Sequence, residues 1–284
     1  MEVTLALCLA VHVGALMAWF GALSLQRVLG RPAAEGRVNA GLVLAAALAL
    51  ASGTLWPLLE TAVVLDDARA ARDLAKVGAV LTQTSFGITW LAREAAIALA
   101  LLAAALPGRR AWQAVYPLVA GALASVALVG HAAATQGMAG LVERSTLGLH
   151  LLAAGAWLGA LPVLWGMCTG PSGPGLEQSL RRFSPYAMAM VAVVLTTGTL
   201  MTWERTGGPE GLLAGAYGRV LLAKVGLVFL MGLLALNNRN RLVPRLGRGE
   251  NSISALRRSI GLETALGAAV IAAAALLGAQ ETPR

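Results

Sequence analysis

The sequence predicts an all-α polytopic membrane protein, with eight transmembrane helices arranged as two parallel four-helix repeats. Three observations predict it. The 284-residue chain is 57% hydrophobic and 13% charged, with mean hydropathy +0.71, outside the range of soluble domains. Its apolar residues fall in blocks close to the roughly 20 residues that cross a bilayer as helix. One motif occurs twice: HVGALMAWFGAL over residues 12–23 and HLLAAGAWLGAL over residues 150–161. Both copies carry His, then Trp seven residues on, then Gly-Ala-Leu after one further residue. Seven residues are close to two helical turns, so His and Trp share a face in each copy.

The spans are expected at residues 3–23, 40–59, 86–106, 112–133, 146–167, 184–203, 218–236 and 256–279. The first begins with an acidic start (MEVTLALC) rather than the basic region of a secretory signal, so it is read as a retained span. Residues 60–85 form a long second loop in which 66–77 reads as a short charged surface helix. Residues 169–177 (TGPSGPGLE) are Gly/Pro-rich and link the halves. Ser52-Gly53-Thr54-Leu55 in the second span matches Thr197-Gly198-Thr199-Leu200 in the sixth. Phe86-Gly87 with Arg93 matches Tyr217-Gly218 with Lys224, each base six residues after the glycine. Residues 1–137 and 144–284 are therefore expected to be repeats within a single transmembrane domain, related by an axis along the membrane normal.

Charge orients the bundle. The odd loops hold Arg27, Arg31 and Arg37; Arg109 and Arg110; Arg181 and Arg182; and, in the seventh, Arg239, Arg241, Arg245, Arg248, Arg257 and Arg258. The even loops mix signs, as in Asp66-Asp67 with Arg69 and Arg72. The positive-inside rule puts the odd loops in the cytoplasm and both termini in the periplasm. The +8 net charge is thus a topology signal and a means of meeting anionic membrane lipids, not a nucleic-acid surface. Cys8 and Cys168 both lie in apolar segments, with no CxxC spacing.

The chain has three histidines, His12, His131 and His150. With the termini outside, all three fall in the outer half of the membrane, His12 deepest at roughly 13 Å. An intramembrane histidine is costly unless partnered, which makes each a functional candidate. Imidazole suits copper, zinc, iron and nickel, and three imidazoles make a trigonal or open tetrahedral copper site. Cys8, one turn before His12, and Met138, just past His131, are candidate soft donors. The blander reading is that each histidine bonds a neighbouring helix and binds nothing. Trp19 and Trp157 read as packing or as an aromatic floor, and Gly21 and Gly159 as points of close helix approach. Arg93-Glu94 and Lys224 are the other intramembrane charges, with Glu263 as the expected counter-charge.

These residues carry a resemblance. H-x6-W-x-G in the fifth span, Gly130-His131-Ala132 closing the fourth, the Tyr217-Gly218…Lys224 opening of the seventh, and the loop Asn238-Arg239-Asn240-Arg241-Leu242-Val243-Pro244-Arg245-Leu246 resemble the copper resistance protein D (CopD) family of bacterial inner-membrane proteins. The resemblance implies an eight-span protein handling copper between periplasm and cytoplasm, with a separate periplasmic CopC-like copper carrier as partner. The leading expectation is a copper transport protein, not an enzyme, with His12, His131 and His150 as metal ligands and either Cu(I) or Cu(II) as cargo. No Walker-type P-loop is present, so ATP-driven pumping is not expected. The alternatives are a b-type haem electron carrier using His12 and His150, and a non-transporting membrane scaffold.

Overall fold

A computed structural model describes residues 2–30, 37–106, 109–130, 135–169, 174–206, 215–246 and 250–278. The described residues are almost wholly helical, without strands. Seven helices are long and apolar enough to cross a membrane: Glu2–Leu29, Gly41–Val64, Ser85–Ala105, Gly137–Met167, Gly175–Glu204, Gly218–Arg245 and Ser252–Gly278. The expected fourth span is a shorter apolar helix, Trp112–Leu128. The chain is a multi-pass all-α membrane protein.

The long helices are α1 (Glu2–Leu29), α2 (Arg37–Val64), α4 (Ser85–Ala105), α5 (Arg109–Ala124), α6 (Gly137–Leu158), α8 (Pro174–Thr206), α9 (Gly215–Asn237) and α10 (Glu250–Gly278). Two short helices complete the set, α3 (Leu74–Gln83) and α7 (Leu161–Met167). The charged segment expected over 66–77 is a 3-10 turn, Ala68–Arg72, followed by α3. Asp73 starts α3 by accepting from the amides of Ala75 at 3.0 Å and Lys76 at 3.3 Å, which satisfies donors the first turn leaves open. Thr84 does the same for α4 through Gly87 N–H at 3.2 Å. A Cβ on Gly87 would strike the Leu81 carbonyl, so glycine is what lets α3 fold back onto α4.

One span ends differently from the expectation. α5 tightens into a 3-10 turn at Ser125–Leu128, and Gly130 follows at φ 74°, a left-handed conformation that glycine tolerates. The fourth span therefore stops short of residue 133. The fifth reaches Met167 as expected. Its helical pattern lapses only at Gly159-Ala160, both still in right-handed helical conformation, between α6 and α7, which has Pro162 in its first turn.

The two helices that carry the repeated motif, α1 and α6, pack on each other at the centre. They touch at the motif glycines. A Cβ on Gly21 would overlap the backbone of Gly159 and Ala160, and a Cβ on Gly159 would overlap the carbonyl of Met17. Lipid is as apolar as a side chain, so helices in a bilayer gain from such backbone proximity rather than from apolar burial alone. Trp19 and Trp157 are buried beside this crossing and belong to the core. α2 packs on α1, α8 on α6, α4 on α5 and α10 on α9, with α10 also lying along α1.

Candidate functional site

His12 is fully buried on α1. Its Nδ1 lies 3.0 Å from Ala49 O and 3.3 Å from Ser52 Oγ, both on α2. A carbonyl only accepts, so Nδ1 carries the proton, and in the neutral imidazole Nε2 keeps its lone pair. That Nε2 is buried with no hydrogen-bond partner among the described residues.

His150 on α6 repeats the arrangement against α8. Its Nδ1 is 2.9 Å from Thr197 Oγ1. The Thr197 hydroxyl donates its one proton to Val193 O at 2.6 Å, so it accepts from His150, which is again protonated on Nδ1. Ser52 spends its own proton on Leu48 O, also at 2.6 Å. Both imidazoles are thus anchored through Nδ1 to a hydroxyl one helix away, the arrangement that orients a metal-ligating histidine. The hydroxyls come from the matching segments Ser52-Gly53-Thr54 and Thr197-Gly198-Thr199. Gly198 lies against the ring, where a Cβ would stand at ordinary contact distance, 3.6 Å from His150 Cε1.

A cation accompanies each histidine. Arg93 shares the Trp56 ring with His12, and Lys224 lines the same cavity as His150. Arg93 is 1% exposed. It donates Nε–H to Ser125 Oγ at 2.8 Å and Nη2–H to Ser125 O at 3.0 Å, and lies 4.6 Å over the Trp56 ring. Trp56 in turn meets His12 edge-on at 5.4 Å. A hydroxyl, a carbonyl and a ring face thus hold the guanidinium, with the Glu94 carboxylate as its neighbouring counter-charge.

The remaining expected residues fall as follows. Cys8 donates its thiol to Ser52 O at 3.2 Å, on the same turn of α2 that holds His12. Met138 is 74% exposed and points away from the interior. Glu263 takes the side-chain amide of Asn238, a partner that spacing along the chain gave no reason to expect. His131 lies outside the described residues, although Gly130, just before it, lines the same cavity as His150. That cavity, of about 1280 Å³, is lined by α1, α6, α8, α9 and α10 with Trp56, Glu60 and Phe86 beside them, and it includes His150 and Lys224 as well as Asn238 and Arg239. His12 is not among its lining residues. Among the described residues no three of His, Cys, Asp or Glu stand close enough together to hold a metal ion.

Comparison with known proteins agrees with this architecture. Residues 1–141 match the family described as Copper resistance protein D-like, N-terminal domain, and residues 177–277 match Copper resistance protein D. The chain is 34% identical over 203 residues to Inner membrane protein YebZ of Escherichia coli (strain K12), covering 70% of each chain. It is 30% identical over 220 residues to Copper transport protein CutJ of Bacillus subtilis (strain 168), covering 72% of this chain and 38% of that one. Copper resistance protein D of Pseudomonas syringae pv. tomato is 34% identical over 210 residues, with 68% and 66% covered. No solved structure matches.

Proposed function

The chain belongs to the copper resistance protein D family, and on that premise we propose that it is an inner-membrane copper transport protein. Copper arrives on the periplasmic side from a separate CopC-like carrier. His150, in the cavity wall, is the first ligand, joined by His131 from the segment after Gly130. His12, deeper in the bundle, is the next, with Cys8 one turn away. Both termini are periplasmic, as the arginine-rich odd loops require. Residues 1–137 and 144–284 act as two repeats, each presenting one anchored imidazole.

One observation carries this reading. Both repeated histidines are anchored through Nδ1, and that of His12 leaves a buried Nε2 lone pair with no hydrogen-bond partner among the described residues. A neutral, pre-oriented imidazole nitrogen is what a borderline metal such as copper binds. A haem held by both histidines would need them to face one hollow, and only His150 lines the cavity.

Copper analysis of the purified full chain tests the proposal. Wild-type protein should retain copper through desalting. His150→Ala should lower the content, and the combined His12→Ala, His131→Ala and His150→Ala variant should hold none. Undiminished copper in the triple variant would remove the assignment. X-ray absorption on the loaded protein would then give ligand type and oxidation state together.

A further inference from the structure

The cavity lined by His150 also holds a second polar cluster which copper ligation does not use. Asn238 stands fourteen residues beyond Lys224, roughly 21 Å farther along the chain's helical rise. Glu263 comes from α10 to meet it. Both line the cavity, and both are buried, with Glu263 2% and Asn238 8% exposed. Asn238 donates Nδ2–H to Glu263 Oε1. Its own Oδ1 is buried and has no hydrogen-bond partner among the described residues.

A carboxylate withdrawn from water into a bilayer is costly unless its charge is neutralised. The partner Glu263 has is a neutral amide. Of the basic side chains on the elements packed around it, Arg219, Arg241 and Arg258 are exposed, and Arg27, Arg239 and Arg257 have their own contacts. Arg239 donates to Ser184 Oγ at 3.0 Å and contacts Met188 on α8. Arg257, on α10 itself, stacks on Trp165 of α7 at 4.8 Å, and Arg27 of α1 stacks on Tyr116 at 4.0 Å. α9 contributes Lys224, fourteen residues before Asn238 and in the cavity wall with His150. α7 carries no charge and is followed by Cys168.

A carboxylic acid facing a primary amide closes a ring of two hydrogen bonds. The amide N–H goes to one carboxyl oxygen, and the carboxyl O–H goes to the amide oxygen. The first bond is present here. The orphaned Asn238 Oδ1 is the acceptor the second bond requires, and a proton on Glu263 supplies its donor.

We propose that Glu263 and Asn238 form an intramembrane proton-binding site in the cavity wall. The carboxyl takes a proton from cavity water, closing the two-bond ring with the amide, and returns it when the ring opens. One O–H bond forms and breaks, and nothing is oxidised or reduced. The use of the site, which rests on the copper reading above, is to compensate the charge of a cation moving through the same cavity.

Infrared difference spectra between high and low pH, recorded on the full chain in lipid nanodiscs without copper, test this directly. The expected result is a protonated-carboxyl carbonyl band that titrates, is missing from Glu263→Gln, and shifts in Asn238→Ala toward the frequency of an unbonded acid. Superimposable spectra of wild type and Glu263→Gln overturn the site. Should Glu263→Gln not insert, an unshifted band in Asn238→Ala overturns the ring. Copper retention by a protein whose spectra lack the band would leave the copper reading standing without the proton site. A titrating Glu263 band in protein that holds no copper would support the proton site and remove only its use.

Discussion

His150 donates its Nδ1–H to the hydroxyl of Thr197 across 2.9 Å, and the bond recurs 138 residues earlier in the chain between His12 and the Ala49–Ser52 turn. Two helices that share a sequence motif thus also share a tautomer. The anchoring partner in each case is the second helix of its half, and the hydroxyl belongs to a short segment that itself recurs.

Thr197→Val keeps the shape of the side chain and deletes the acceptor. The Nδ1–H of His150 loses its hydroxyl acceptor and keeps only the Val194 carbonyl, a net loss of about 0.5–1.5 kcal/mol for the hydrogen bond. Removing a second-layer partner of a metal-ligating histidine lowers affinity about 10–100-fold. Copper competition titration against a chelator should show a loss in that range, with helical content unchanged by circular dichroism. Ser52→Ala should weaken His12 less, because Ala49 O, its nearer acceptor, still receives its Nδ1–H.

The glycine crossing sets up a stability contrast. Gly159→Ala drives a methyl into the Met17 carbonyl, and backbone cannot yield as a flexible side chain can. A loss of about 1–3 kcal/mol is expected, read as a lower midpoint of thermal unfolding in detergent. Gly226→Ala on α9 meets nothing within 4 Å and should be neutral or raise the midpoint through better helix propensity. Equal midpoints for the two variants would refute the role given to the crossing.

Arg93→Lys retains the charge and loses the fork. Lysine offers a compact ammonium in place of the Nε and Nη2 donors that hold Ser125 Oγ and Ser125 O together. The α4–α5 contact should weaken, by about 2 kcal/mol for a buried charged hydrogen bond. Because the site is dry, the loss should be nearly the same at low and high salt. A loss that salt abolishes would mean the guanidinium is solvated.

Cys168 sits just past the end of α7, and burial pushes its thiol up to about 11 despite the opposing pull of Arg257. At pH 7 only about one thiol in ten thousand is then ionised, and thiolate is the reactive and metal-binding form. Alkylation of the native protein at pH 7 should be far slower at Cys168 than for a free thiol and should accelerate as pH rises toward 11. Rapid labelling at neutral pH would contradict this.

Much of the bundle was legible in the residues. Hydropathy runs located the spans, and they stand as helices with longer ends than the apolar blocks alone suggest, as in α1 at Glu2–Leu29. Gly21 and Gly159 were expected at close approaches, and they touch each other. The shortening of the fourth span at Gly130 was not legible, because it sits in a run whose composition remains largely apolar. The lapse after Leu158 does have a signal, Pro162, which lacks the N–H a continuous helix would use. Glu263 was expected as a counter-charge to Arg93 or Lys224, and the amide of Asn238 holds it instead.

Hydropathy, charge asymmetry and the duplicated motif are properties of neighbouring residues, so the sequence alone determined the membrane class, the helical spans and the intramembrane histidines. Which partner each of those side chains meets was decided by the tertiary structure. Ala49 and Ser52 for His12, Thr197 for His150, Ser125 for Arg93 and Asn238 for Glu263 lie 25 to 47 residues away. Reaching them depends on how each helix is rotated about its own axis. Helices that are apolar around most of their circumference carry little record of that rotation, which backbone contact between glycines and a few buried polar bonds settle only when the helices pack.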